Sequence, residues 1–184
     1  MEQGRHILTI GYGARSMPEF VDALQAAGVQ YLVDVRSAPY SKFKPEFSKR
    51  ALAAELEAHR IRYLFMGDSL GGMPDDPETR DEAGHVDYGR LRLRTAFHAG
   101  LERLEAGWEA GHRIAIMCSE GKPQECHRTK LVAEKLVANG VPVAHIDEEG
   151  AIRSHAEIMA MITDGQETLF GEHAAASRSR KRVA

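Results

Sequence analysis

The segment Cys118-Ser-Glu-Gly-Lys-Pro-Gln-Glu-Cys-His-Arg128 gathers two thiols, an imidazole and a guanidinium within one short stretch. Cys118 closes an apolar run, and Cys126, His127 and Arg128 open a helical one. A helix start concentrates free amides and partial positive charge. Arg128 adds paired donors that suit phosphate or carboxylate, so the segment predicts an anion site. The same field favours a thiolate, which makes Cys118 or Cys126 a candidate nucleophile. Glu120 or His127 is the candidate acid or base, since imidazole titrates near neutrality. The opposing reading is an inert buried thiol beside a capped helix, because free cysteine is among the most buried residue types. No metal is expected: the cysteines are far apart, adjacent Cys126 and His127 rarely chelate one ion, and there is no second C-x-x-C. A Cys118–Cys126 disulfide is disfavoured in a reducing compartment.

A second candidate segment runs Asp34-Val-Arg-Ser-Ala-Pro-Tyr-Ser-Lys-Phe-Lys-Pro45. Asp34 and Arg36 form either an orienting pair or a structural ion pair. Arg36, Tyr40, Lys42, Phe43 and Lys44 interleave cations with rings, which suits phosphate contact and base stacking. Residues 36–62 hold seven Lys/Arg against three Glu. The bland alternative is a solvated loop with Phe43 and Phe47 turned inward. Gly11-Tyr12-Gly13 ends an apolar run and allows close backbone approach to a ligand, as does Leu70-Gly-Gly-Met, but neither meets the dinucleotide fingerprint. Arg90, Arg92 and Arg94 point to a phosphate contact or to salt bridges with the acidic loop before them.

Positioning these segments requires an alternation of strands and helices. Apolar runs at 6–11, 31–35, 61–66, 113–118 and 141–146 predict five strands. Helices are expected after the capping box Ser16-Met-Pro-Glu19, over 52–59, 90–106 and 127–139, and after the capping box Ser154-His-Ala-Glu157 to about 162. Near-continuous apolar strands separated by helices predict an α/β fold: one domain over 1–163, a mostly parallel sheet of about five strands with helices on both faces. Ligands in such folds lie at the carboxyl ends of the strands. Residues 67–89, with five glycines, two prolines and seven acids, read as a long irregular insertion.

The 184 residues carry 43% hydrophobic and 28% charged side chains, which excludes disorder and coiled coil for the body of the chain. No apolar run approaches the length of a membrane span, so no membrane partner is expected. Two cysteines and the absence of an export signal near Met1 point to the cytoplasm. Net charge is −3, and the last eight residues hold four cations and no acid. The rest is acidic, a poor general polyanion binder. Residues 164–184 read as a flexible basic tail. Within it, Gln166-Glu-Thr-Leu169-Phe170 resembles the short peptide with which bacterial replication and repair proteins dock on the sliding clamp.

Taken in order, TIGYG with SMPEF, LVDVRSAPYSKFKPEF, LGG and CSEGKPQECHR resemble the DUF488 family, over most of the chain from Ile7 to Ile146. The resemblance implies a fold and a pocket rather than an activity. It implies that Tyr12, Asp34, Arg36, Pro39, Cys118, Glu120, Pro123, Cys126, His127 and Arg128 face one pocket. Gly13 and Gly121-Lys122 depart from the family pattern. The leading expectation is a strand-end anion pocket formed by Gly11, Tyr12, Asp34, Arg36, Tyr40, Lys42 and Arg128. It would bind a nucleotide or nucleic acid, in DNA maintenance, with hydrolysis or transfer as the reaction class if there is catalysis. The rivals are a non-catalytic adaptor docking the clamp through Gln166, Leu169 and Phe170, and a thiol-dependent enzyme using Cys118 or Cys126.

Overall fold

Alternate residues of a strand face opposite sides of its sheet, and here both sides are apolar. Val33, Ile114, Ile116 and Val143 belong to one buried cluster, and Ile10, Leu32, Ala115, Met117 and Ile146 to another. That double burial is why the strands read as continuous apolar runs. The computed structural model describes residues 5–163 and 177–179. Its elements are β1 (Ile7–Gly11), α1 (Met17–Ala26), β2 (Tyr31–Asp34), α2 (Lys49–Ala58), β3 (Arg62–Phe65), α3 (Gly67–Leu70), α4 (Tyr88–Arg92), α5 (Thr95–Glu109), β4 (Ile114–Cys118), α6 (Glu134–Ala138), β5 (Val143–Ile146), β6 (Ile152–Ser154) and α7 (His155–Ile162).

The sheet order is β3-β2-β4-β1-β5-β6. All neighbours are parallel except β5 and β6. The fold is therefore α/β with a mostly parallel sheet, as the alternation predicts. Phe20 and Leu24 of α1 and Leu52 and Leu56 of α2 cover one face. Leu70, Leu91, Phe97, Leu101 and Leu104, from α3 to α5, cover the other with Leu131 and Leu136. Both capping boxes form, Ser16 with Glu19 and Ser154 with Glu157. No helix among the described residues is long and apolar enough to cross a membrane.

Three expectations change. The helix expected over 90–106 is two helices, because Arg94 adopts an extended conformation (ψ 134°) and caps α5 afresh. The one expected over 127–139 begins as a π-helix, Arg128–Ala133, before becoming α6. π-helical turns are often found at functional sites. The segment 67–89 is not a mere insertion: Leu70, Thr79, Val86 and Tyr88 are buried, and α3 opens it. Residues 177–179, from the stretch read as a tail, lie against this segment. Ser179 N donates to Val86 O, Val86 N to Ser179 Oγ and Tyr88 N to Ser177 O. Gln166, Leu169 and Phe170 lie outside the described residues.

Candidate functional site

The parallel strands deliver their carboxyl ends to one edge, where a cavity of about 680 Å³ opens. Tyr12 follows β1, Arg36 follows β2 and Cys118 ends β4; all three line the cavity. Glu120, Cys126, His127 and Tyr40 join them from the connecting segments. These are seven of the residues expected at the site.

Asp34 is fully buried beneath Arg36. Its carboxylate accepts from Arg36 N (3.1 Å), Nε (2.9 Å) and Nη2 (2.6 Å), and from the Tyr63 hydroxyl (2.6 Å). Both expected roles thus merge: the ion pair is structural and it orients the arginine. Arg36 Nη2 also donates to Phe47 O, while Nη1 is buried without a hydrogen-bond partner. Burial alone would lower the guanidinium's pKa, but Asp34 and Tyr12 outweigh it and raise it. The Tyr12 ring stacks on Phe47 (4.4 Å between centroids), with the guanidinium 5.5 Å from its centre.

On the other side of the cavity His127 Nδ1 lies 3.6 Å from Cys118 Sγ and 3.7 Å from Cys126 Sγ. His127 Nε2 is 3.0 Å from Val35 O. A carbonyl only accepts, so the Nε2 proton points there and Nδ1 faces the sulfurs. The three donor atoms lie within 4.8 Å of one another, a set able to hold a metal ion. Adjacency of Cys126 and His127 does not prevent this. Cys126 is extended (φ −112°, ψ 147°) and His127 helical (φ −62°, ψ −26°), and this change of backbone direction brings both side chains to one point. The Cys126 thiol donating to it, with the imidazole beside it, holds the Cys118 pKa well down. Burial pushes Cys126 up. Burial alone would lower His127, but the Cys118 charge prevails and raises it. Gly72 lies flat against the imidazole: a Cβ there would meet His127 Cγ at 2.4 Å. The Leu-Gly-Gly segment thus makes room for the His127 ring, and Gly72 and Met73 also line the cavity.

Arg128 corrects the expected two-arginine anion receptor. It is fully buried and does not line the cavity. Nη1 donates to Glu120 O (2.5 Å), Nη2 to Gly121 O (3.0 Å) and Nε to Thr9 Oγ1 (3.3 Å). Every donor nitrogen is thus turned to the protein itself, and the loop after β4 is clamped over β1. Gly11 also belongs to this clamp, since a Cβ there would lie 1.6 Å from Glu120 O. Lys42 is exposed and outside the cavity lining. Pro39 and Pro123 are likewise not on the lining. Phe47 is in the core, but Phe43 is 92% exposed, so the solvated-loop alternative holds only for the former's inward turn. Arg90 and Arg94 pair with Asp87 and Asp76, and Arg92 donates to Lys130 O, matching the salt-bridge alternative for two of the three.

Sequence reasoning passed over Tyr63, Tyr88 and the Thr9–His145–His155–Glu134 chain. Tyr63 is separated from Asp34 by 29 residues, and only strand pairing brings it close. Burial pushes the Tyr88 hydroxyl up. The chain runs Thr9 Oγ1 to His145 Nδ1 (2.8 Å), His145 Nε2 to His155 Nδ1 (3.0 Å) and His155 Nε2 to Glu134 Oε2 (2.9 Å). Thr9 Oγ1 also accepts from Arg128 Nε (3.3 Å), which joins the chain to the Arg128 side chain. Burial, with the charges of His155 and Arg128 adding, pushes His145 down to about 3.

That shift has a pH consequence. An unfolded chain protonates this imidazole near its ordinary pKa of about 6.5, whereas the folded chain does not. Stability contributed by neutral His145 is therefore complete above about pH 6.5 and lost as pH falls toward 3, by up to about 1.4 kcal/mol per pH unit. Denaturant titrations at pH 7 and pH 5 should show His145→Gln with a shallower loss than the wild type over that interval. Equal losses in the two proteins would contradict the buried neutral assignment.

No curated protein matches the chain. A family model described as a domain of unknown function, DUF488, matches residues 16–136, from the cap of α1 through β2, the cysteine loop and into α6. With most of its length matched and the Asp34–Arg36 and Cys118–Arg128 segments inside the match, the chain belongs to the DUF488 family.

Proposed function

We propose that the protein is an enzyme acting on a small ligand that carries one phosphate or carboxylate group. Arg36 anchors that group, and the Cys118–Cys126–His127 cluster faces the neighbouring bond. One observation carries this reading: a buried guanidinium with an unpartnered Nη1 and a cluster of reactive side chains line the same strand-end cavity. Unpaired buried donors are costly, and an oxyanion is the partner an arginine fork fits best. Hydrolysis or group transfer next to the anionic group is the reaction class favoured by this juxtaposition.

The charges around the cavity narrow the ligand. Asp68, Asp75, Asp76, Glu120 and Glu125 line it against Arg36 and Arg94. Five carboxylates repel a nucleic-acid strand and favour a ligand with a single anionic end and a neutral or cationic remainder. Tyr40, 71% exposed, offers a ring at the edge, which keeps mononucleotides among the candidates.

A thermal-shift titration with orthophosphate, mononucleotides and amino-acid phosphates tests this reading. A ligand at a hundred times its Kd stabilises the fold by about 2.7 kcal/mol. Arg36→Lys keeps a cation beside Asp34 but removes Nη1, so the ligand-induced rise in Tm should disappear. An equal rise in both proteins, or none with any of these anions in the wild type, would overturn the proposal.

A further inference from the structure

We propose that Cys118, Cys126 and His127 form a three-ligand site for a soft divalent cation of the zinc class, open on its fourth side to the cavity. Two thiolates and a neutral imidazole suit zinc in charge and softness. The spacing also fits. Tetrahedral zinc with Zn–S near 2.3 Å and Zn–N near 2.0–2.1 Å places nitrogen and sulfur about 3.6 Å apart. The structure has 3.6 and 3.7 Å for the two Nδ1–Sγ pairs, and the three donors span no more than 4.8 Å.

The surroundings are those of a ligand set held in place. Metal-bound histidines donate the other ring nitrogen's proton to a carbonyl or carboxylate, and here Nε2 faces Val35 O at 3.0 Å. The main-chain N–H of Arg128 donates to Cys126 Sγ at 3.5 Å. Gly72 fixes the imidazole plane from above. Cys118 and Cys126 are 5% and 1% exposed, so the bound ion would meet solvent only through the cavity. Three protein ligands and one open position is the arrangement of a catalytic zinc rather than a structural one. The ion's use in catalysis rests on the reading of that cavity as the working site, whereas its binding stands on the ligand geometry alone.

Cobalt(II) added to the reduced, chelator-treated full-length protein reads the site directly. The expected result is one equivalent bound, with a thiolate-to-cobalt charge-transfer band in the near ultraviolet and intense visible bands of tetrahedral cobalt. Zinc should bleach both. Cys118→Ser and Cys126→Ser should each halve the charge-transfer intensity, and the wild-type spectrum decides the matter if either variant fails to fold. Absence of a charge-transfer band in the wild type would overturn the inference. So would rapid alkylation of Cys118 that equimolar zinc leaves unchanged, which would assign the cluster to a thiol nucleophile instead. A missing cobalt band beside an intact Arg36-dependent phosphate shift would remove the metal and leave the ligand reading standing. The reverse pair of results would remove the ligand reading and leave the metal.

Discussion

Asp34→Ala should destabilise the fold by about 3–5 kcal/mol, the range for removing one partner of a buried ion pair. The reason is local. The fully buried carboxylate accepts four hydrogen bonds, three from Arg36 and one from Tyr63. Without it, a 5% exposed guanidinium keeps only Phe47 O among its acceptors, and the half-buried Tyr63 hydroxyl loses its own. Asp34→Asn should cost less, because one amide oxygen still accepts from the main-chain N–H of Arg36. Urea denaturation checks both: the midpoint should fall with the slope unchanged, and more steeply for alanine. The functional consequence is separable. Even where the alanine variant folds at low temperature, the Arg36-dependent anion shift should be lost, since the Phe47 O bond and the Tyr12 ring alone would not hold the guanidinium in one orientation.

The second large effect is expected at Arg128. Arg128→Leu should cost about 3 kcal/mol or more, because the part-buried Glu120 and Gly121 carbonyls and the buried Thr9 hydroxyl lose charge-assisted donors together. Lysine should not rescue it: one ammonium cannot reach Glu120 O, Gly121 O and Thr9 Oγ1 from a single stem. The loop that Arg128 clamps connects Cys118 to Cys126, so the same substitution should weaken cobalt binding by about 10–100-fold, the usual cost of losing an outer-shell support. A merely stabilising arginine would leave the affinity of the folded fraction unchanged. Titrating cobalt at a temperature where the variant is fully folded separates the two.

Much of the fold can be read from residue order because the parallel strands other than the edge strand β3 are buried on both faces. Their apolar runs are long enough to be recognised, and Ser16 and Ser154 mark two helix starts. The sixth strand is not legible, since Ile152–Ser154 is short, lies at the sheet edge and alternates exposed and half-buried positions. The site divides in the same way. Residues at strand ends, Tyr12, Arg36 and Cys118, are found by topology alone. The role of Arg128 is not, because Cys126 and His127 just before it line the cavity while its own side chain turns to carbonyls eight and seven residues earlier and to Thr9. Spacing tables also misjudge Cys126 and His127, whose convergence comes from a change of backbone direction that residue counts do not record. Tyr63, Gly72 and His145 act through partners distant in sequence, so only the folded chain identifies them.

The most direct measurement is a crystal structure of the full-length protein grown with orthophosphate. Phosphate oxygen should lie within about 3 Å of Arg36 Nη1, with the anion on the cavity side facing Cys118 and His127. Arg36 Nη1 bonded within the protein, with no anion in a cavity still open to solvent, would contradict the assignment of this edge of the sheet as the working site.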